Sequence, residues 1–295
     1  MKTTNLNILK LLLGSITITM LGLFFPPVYL FFPSLFLYYG IKDSIIKAIL
    51  ALLVPSFIMG YINPTLGLAI FVVFAPMILS LHYLITNKYG VDVSLGLASL
   101  VTFISILSIM YAYGINGSTL SSEESVRAYI EGAKLVLSKS GSLNTSNLEG
   151  NLRTMYLQTI ALLPSIIVII SIAISYMTYL LTGRRLLKDG IIVMQPPSFE
   201  FLRLPKIFVA ISILVLLILK LLGFQEIFMN LALIFTFMTF VNGLATLKFL
   251  LFKMGASQFI QVLALVFFIF LPGMQIASAV LGLVDSLFNL RRLPN

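Results

Sequence analysis

Apolar runs follow one another along nearly the whole chain, at roughly 8–25, 29–39, 45–61, 66–85, 95–113, 155–181, 207–222, 227–251, 258–271 and 274–290. Short polar breaks separate them. A helix needs about 20 apolar residues to cross the hydrocarbon of a bilayer, and in lipid its backbone groups must be satisfied by the protein itself. Charged residues make up only 10% of the chain, and mean hydropathy is +1.08, whereas a soluble domain carries about 25% charge. So little charge does not cover a water-facing surface. The fold expected is all-α: a polytopic transmembrane helical bundle of about ten helices in the cell membrane, with two short or broken pairs.

The breaks carry the turn chemistry. Pro26-Pro27, Gly40 to Ser44, Asn63-Pro64, Asn87 to Asp92 and Pro272-Gly273 each interrupt an apolar run, and proline does not continue a helix without losing a hydrogen bond. Pro164 predicts a kink in the sixth run. Pro272-Gly273 divides the last apolar stretch into a re-entering pair, 258–271 and 274–290. Sidedness follows from Lys and Arg, which stay on the cytoplasmic side of short loops. The segment 183–206 is the most basic interruption in the second half, with Arg184, Arg185, Lys188, Arg203 and Lys206 against Asp189 and Glu200. Placed inside, it puts Lys10, Lys42, Lys88 and Lys253 inside as well, together with both termini.

One long polar segment, 114–154, then lies outside. In it Ser121-Ser-Glu-Glu124 has the spacing of a capping box, and apolar residues recur at Val126, Ile130, Ala133 and Val136 or Leu137, the spacing of one helix face. A second capping box is expected from Ser146 and Glu149. Asn116-Gly-Ser118 and Asn144-Thr-Ser146 match the short glycosylation pattern, which occurs often by chance. The expected organisation is an N-terminal five-helix membrane half at 1–113, an extracytoplasmic insert with an amphipathic helix at 114–154, and a C-terminal five-helix half at 155–295.

The net charge of +9 sits at the ends of apolar runs, where it orients spans and meets anionic headgroups. No basic patch is interleaved with aromatics, so nucleic acid is not an expected partner; the bilayer is. There is no Cys, and His82 is the single histidine. His82 reads either as an interfacial residue or as a proton-relay group. No HExxH, G-x-S-x-G or P-loop occurs. No enzyme activity, metal or cofactor is therefore expected.

The polar groups within the spans are few. Thr239, Asn242 and Thr246 fall at i, i+3 and i+7, on one helix face beside Gly243. That face either lines a substrate cavity or joins helices, because amides and hydroxyls in hydrocarbon need partners. Gln261 and Gln275 flank the Pro272-Gly273 turn and are candidates for the same interior. Ser171 and Ser175 read as packing residues. In the last run Ser278, Gly282 and Ser286 form a small-residue face, with Asp285 nearly on it. An acid so placed needs hydration or a partner. Asp285, Arg291 and Arg292 read either as an ion-paired helix end or as a docking point for a partner.

Phe199 to Pro205 (FEFLRLP), Asn242 to Ala245 (NGLA) and Leu281 to Arg291 (LGLVDSLFNLR) resemble the YybS-like family of uncharacterised bacterial multi-span membrane proteins. That family is distantly similar to the substrate-capture subunits of energy-coupling-factor vitamin transporters. The resemblance implies a small-molecule ligand and a membrane partner protein or transporter scaffold. This chain departs from those subunits in having about ten helices where six are usual, and in lacking an Ala-xxx-Ala pattern in its first helix. The function expected is a transport-related, small-molecule-binding membrane subunit. The alternative is a non-transporting membrane scaffold or regulatory protein that acts through partners.

Overall fold

The computed structural model describes residues 2–139 and 148–293. Thirteen α-helices and two 3-10 turns make up their secondary structure, with no strand among the described residues. The helices are α1 (Lys2–Phe24), α2 (Phe32–Lys42), α3 (Ile45–Ile62), α4 (Pro64–Thr86), α5 (Val91–Ala112), α6 (Gly117–Leu120), α7 (Glu123–Lys139), α8 (Leu148–Ala161), α9 (Leu163–Lys188), α10 (Lys206–Leu221), α11 (Gln225–Lys253), α12 (Gln258–Phe270) and α13 (Pro272–Phe288). Five of them, α3, α4, α5, α9 and α11, are long and apolar enough to cross a membrane. The pair α12 and α13, bent by 107° at Leu271, counts as a sixth if taken as one span. Each apolar run of the sequence lies on a helix, and the polar segment adds α6, α7 and the first half of α8.

The chain forms two units, residues 1–153 with 167–196, and residues 154–166 with 197–295. The expected halves, 1–113 and 155–295, are divided differently. Most of α9 belongs with the first five helices, because its side chains pack there. Ile174 and Tyr179 sit in the core built by Phe32, Phe36, Leu52, Phe74, Met77 and Leu81. Phe32 anchors that core, its ring 5.0 Å from Phe36 and 5.5 Å from Phe74.

Local chemistry sets the turns of the first unit. Pro26 opens a 3-10 turn, Pro26–Leu30, and Pro33 sits in the first turn of α2, where its missing N–H costs nothing. Asn63 caps α4, its Oδ1 accepting from Thr65 N at 3.0 Å and Leu66 N at 3.3 Å. The α3–α4 pair touches backbone to backbone at Gly60 and Gly67, leaving no room for a methyl on Gly67. A buried small-residue stripe on α5, Ser94, Ala98, Thr102 and Ser105, lets helices approach closely. Thr102 and Ser175 hydroxyls meet at 3.4 Å, and Ser175 donates to Met77 Sδ at 3.7 Å. Ser171 is buried and bonds Ile167 O at 2.8 Å. Ser171 and Ser175 of α9 are thus packing residues.

In the polar segment, Ser122 rather than Ser121 caps α7, accepting from Ser125 N at 3.3 Å. Ser121 is held by Gly117 O one turn earlier. Val126 and Ile130 are buried, Leu137 is half-buried and Val136 is exposed, so the apolar face continues through Leu137. Ion pairs Lys134–Glu149 (2.8 Å) and Arg153–Glu123 tie α7 to α8. Asn116 serves as the N-cap of α6, its Oδ1 accepting from Thr119 N and from Ser118 Oγ. That gives the Asn-Gly-Ser sequence a local structural role. Ser146 and the Asn144 pattern lie outside the described residues.

The second unit is built on α11 and α13. Near Pro164, where a kink is expected, the helix is interrupted at the single residue Leu162, between α8 and α9. Asn230 of α11 spans it. Its Oδ1 accepts from Ser165 N at 3.1 Å, and its Nδ2 donates to Ala161 O at 2.7 Å. Ser165 N and Ala161 O, which would pair with each other in a continuous helix, thus each gain a partner from Asn230. On α10, Ile207, Ile211, Leu214, Leu217 and Leu221 are all more than half exposed, a surface suited to lipid.

Candidate functional site

Among the described residues, a dense cluster of polar side-chain bonds lies where α11 crosses α13. Gly243 and Gly282 face each other there. A methyl on Gly243 would overlap the Ser278 carbonyl, and one on Gly282 would overlap the Thr239 carbonyl and Gly243 N. Only glycine permits this approach. The close contact brings polar groups of one helix onto the backbone of the other. Ser278 Oγ donates to Phe240 O at 3.1 Å.

Asn242 is fully buried at this crossing. Its Nδ2 donates to Gly282 O at 2.8 Å and to Ser286 Oγ at 2.9 Å. Its Oδ1 accepts from Arg291 Nη2 at 2.9 Å. Thr239 and Thr246, also buried, turn their hydroxyls back to their own helix, Thr239 to Phe235 O and Thr236 O, Thr246 to Asn242 O at 2.9 Å. The three residues share a face, as their spacing predicts, and that face joins helices.

Arg291 closes the cluster. After α13 the chain reverses at Asn289, a non-glycine residue in the left-handed region at φ 51. Asn289 stabilises the reversal by donating to Leu293 O and accepting from Leu293 N; such residues tolerate this conformation because their short polar side chain bonds locally. The turn carries Arg291 back to Asp285, where both side chains are wholly buried. Nε and Nη2 donate to Asp285 Oδ2 at 3.0 and 2.7 Å, while Arg291 N donates to Oδ1 at 3.2 Å. Nη1 donates to Glu200 O at 2.7 Å and Nη2 to Leu202 O at 2.8 Å. The planar guanidinium suits such a fork of acceptors. A buried ion pair survives desolvation only when its remaining donors are satisfied in this way.

Glu200 in turn takes Lys248 Nζ at 2.8 Å, and Phe201 packs edge-on against Phe249 at 6.1 Å. The loop 199–205 is thereby fastened to α11 and to the turn after α13. The three stretches 199–205, 242–245 and 281–291 meet at this one guanidinium.

The other expected residues sit elsewhere. Gln261 is buried and donates to Ala256 O at 2.9 Å, closing the turn before α12. Gln275 is exposed and donates to Ile269 O at 2.6 Å across the 107° bend. Neither is bonded to Asn242. Arg292 is exposed, at φ 53, so of the three residues Asp285, Arg291 and Arg292 it alone presents its side chain outward. His82 is half-buried on α4 and has the Gly40 backbone as hydrogen-bond partner. Among the described residues no group of three or more His, Cys, Asp or Glu is placed to hold a metal. Sequence reasoning missed two residues of weight: Asn230, whose signal was a lone amide within an apolar run, and Arg291 as an inward-facing hub.

No curated protein and no solved structure matches the chain. Residues 15–286 match the family described as "Predicted membrane protein (DUF2232)". A match over that much of the chain, on helices of this apolarity, shows that the chain belongs to that family of membrane proteins.

Proposed function

We propose that this protein is a non-transporting scaffold or regulatory component of the cell membrane that works through partner proteins. One observation carries the reading: every polar atom of the Asn242 side chain is engaged within the protein, by Gly282, Ser286 and Arg291. A capture subunit would need that face open to a ligand. Instead the residues that could recognise one are spent on fixing α11, α13 and the 199–205 loop.

In this reading ten membrane-embedded segments form the bundle, with both termini and the 183–206 loop cytoplasmic and α6 to α8 outside. The α12–α13 pair is a re-entrant element that keeps Arg291 and Arg292 on the inner side, as charge favours. The kinship to the YybS-like family fits, because its three stretches coincide with the buried junction. Arg292 offers one inner contact point and residues 183–196 another, and α7 with residues 148–153 of α8 an outer one. No catalytic step and no cofactor belong to the proposal.

The test combines two measurements on the full chain. Crosslinking in the native membrane is expected to recover a defined partner protein, and a panel of vitamins and nucleosides is expected to leave the melting temperature unchanged. A panel member that raises the melting temperature of the wild type but not of Asn242→Ala would overturn the scaffold reading in favour of small-molecule capture.

A further inference from the structure

A cavity of about 400 Å³ lies in the first unit, lined by Lys10 of α1, by Leu35, Tyr38 and Tyr39 of α2, and by Arg185, Lys188 and Asp189 at the end of α9. Three cations thus face one carboxylate. That carboxylate is already engaged, since Asp189 forms an ion pair with Lys42 and accepts from the Tyr38 hydroxyl. Lys42 also donates to Tyr38 at 2.9 Å. The pairing with Lys42 holds Asp189 below the usual carboxylate range and raises Lys42 above the usual lysine range. Tyr38 and Asp189 therefore line the cavity with the carboxylate already neutralised by Lys42, and Lys10, Arg185 and Lys188 supply further positive charge around them.

Two of these cations have a simpler partial explanation. Arg185 and Lys188 lie in the last turn of α9, where the helix dipole favours positive charge. Lys10 does not share it. It comes from a different helix and brings a third like charge to the same cavity, an arrangement that favours a bound anion. The surroundings indicate which anion. Lys10 stands where α1 enters its apolar run. Leu13, one turn further along that helix, is 58% exposed. Leu35 adds an apolar wall beside the tyrosines. A phosphate seated among the cations would have its acyl chains leading away over exposed leucine.

We infer that this cavity binds the phosphate of an anionic phospholipid headgroup, held by Lys10, Arg185 and Lys188 with Tyr39 beside it. Basic pockets between membrane helices on the cytoplasmic side are suited to such headgroups. The binding ties α1 to the end of α9, so lipid composition bears on how firmly the first unit closes.

The test uses the full chain in zwitterionic detergent, with phosphatidylglycerol or phosphatidylcholine added and bound lipid counted by native mass spectrometry. Phosphatidylglycerol is expected to be retained with a preference of roughly tenfold or more, given the contribution of each basic residue near a lipid surface. The variant Lys10→Gln/Arg185→Gln/Lys188→Gln is expected to lose that preference, and Lys253→Gln, outside the cavity, to keep it. Should the triple variant not fold, Lys188→Glu alone, at an exposed position, makes the same comparison. Retention of the full preference in these variants overturns the assignment. Inorganic phosphate is the second probe. If it displaces phosphatidylglycerol at millimolar concentration and protects the protein from thermal unfolding equally well, the site takes soluble phosphate and the lipid assignment fails.

Discussion

Arg291 donates a 2.9 Å hydrogen bond to Asn242, across 49 residues of chain, and both side chains are cut off from solvent. The amide of a membrane helix is thereby completed by a side chain that lies beyond the following two helices. Removing either partner leaves the other with an unmet need in an apolar setting.

Arg291→Met should be the more damaging change, because it leaves the Asp285 carboxylate buried without its counter-charge. Breaking one side of a buried pair costs about 3–5 kcal/mol. Replacing both, as Asp285→Leu with Arg291→Met, should restore much of the loss, although Glu200 O and Leu202 O remain without their donor. Thermal unfolding in detergent followed by helical circular dichroism compares the three proteins.

Gly243→Ala and Gly282→Ala should each force α11 and α13 apart, since the added methyl meets backbone rather than a movable side chain. A cost of about 1–3 kcal/mol is typical of overpacking, and backbone contact places these at the upper end. Gly273→Ala, with nothing within 4 Å of the added carbon, should leave the melting temperature nearly unchanged.

Asn230→Leu should expose Ser165 N and Ala161 O to an apolar surrounding without a partner. An unsatisfied buried group costs about 1–3 kcal/mol; Ser165 is buried and Ala161 half-buried, which places the loss toward the lower end. Hydrogen exchange at the start of α9 should quicken in the variant, with α3 and α4 unaffected.

The α7–α8 contact should depend on acid and salt. Hydrogen bonding and charge from Arg153 hold Glu123 below the usual carboxylate range, and Lys134 does the same for Glu149. A lowered folded-state pKa means the stabilisation is complete above the unfolded carboxylate pKa of about 4.3 and is lost as pH falls through the lower folded value. Spin labels on Ser138→Cys and Asn151→Cys should therefore show a single short distance at neutral pH. The distribution should broaden in strong acid, and in high salt as well, because these pairs are exposed. An unchanged distribution under both conditions would show that the ion pairs do not hold the helices together.

The absence of cysteine makes sidedness directly measurable. A membrane-impermeant maleimide should reach Ser118→Cys from outside intact cells and Ile192→Cys only after the membrane is opened. Labelling of Ile192→Cys from outside would invert the topology.

Much of this architecture was readable from residues. Pro26-Pro27 and Asn63-Pro64 mark turns because proline chemistry is local, and the inward face of Thr239, Asn242 and Thr246 follows from helical spacing alone. What those polar residues do there was not readable. Whether Asn242 lines a cavity or locks a joint depends on Gly282 and Arg291, which reach it only through tertiary packing. Arg291 misleads in a particular way: a basic residue just past an apolar run has the pattern of an interfacial charge, and only the left-handed turn at Asn289 sends it inward. Asn230 was hidden for a similar reason, since its partners are backbone groups that no sequence pattern displays. The division of α9 between two units leaves no mark in composition, because apolar residues run without interruption across the boundary at residues 166 and 167.

The position of Arg291 also sets a temporal order. Glu200, Leu202, Asn242 and Asp285 all precede it in the chain, so each leaves the ribosome before the residue that binds them. Until then the amide oxygen of Asn242 and the carboxylate of Asp285 lack the donor that completes them in the folded chain. Only when residue 291 emerges does the latch exist, and nonsense or frameshift lesions between 286 and 291 would strand the second unit in that unfinished form.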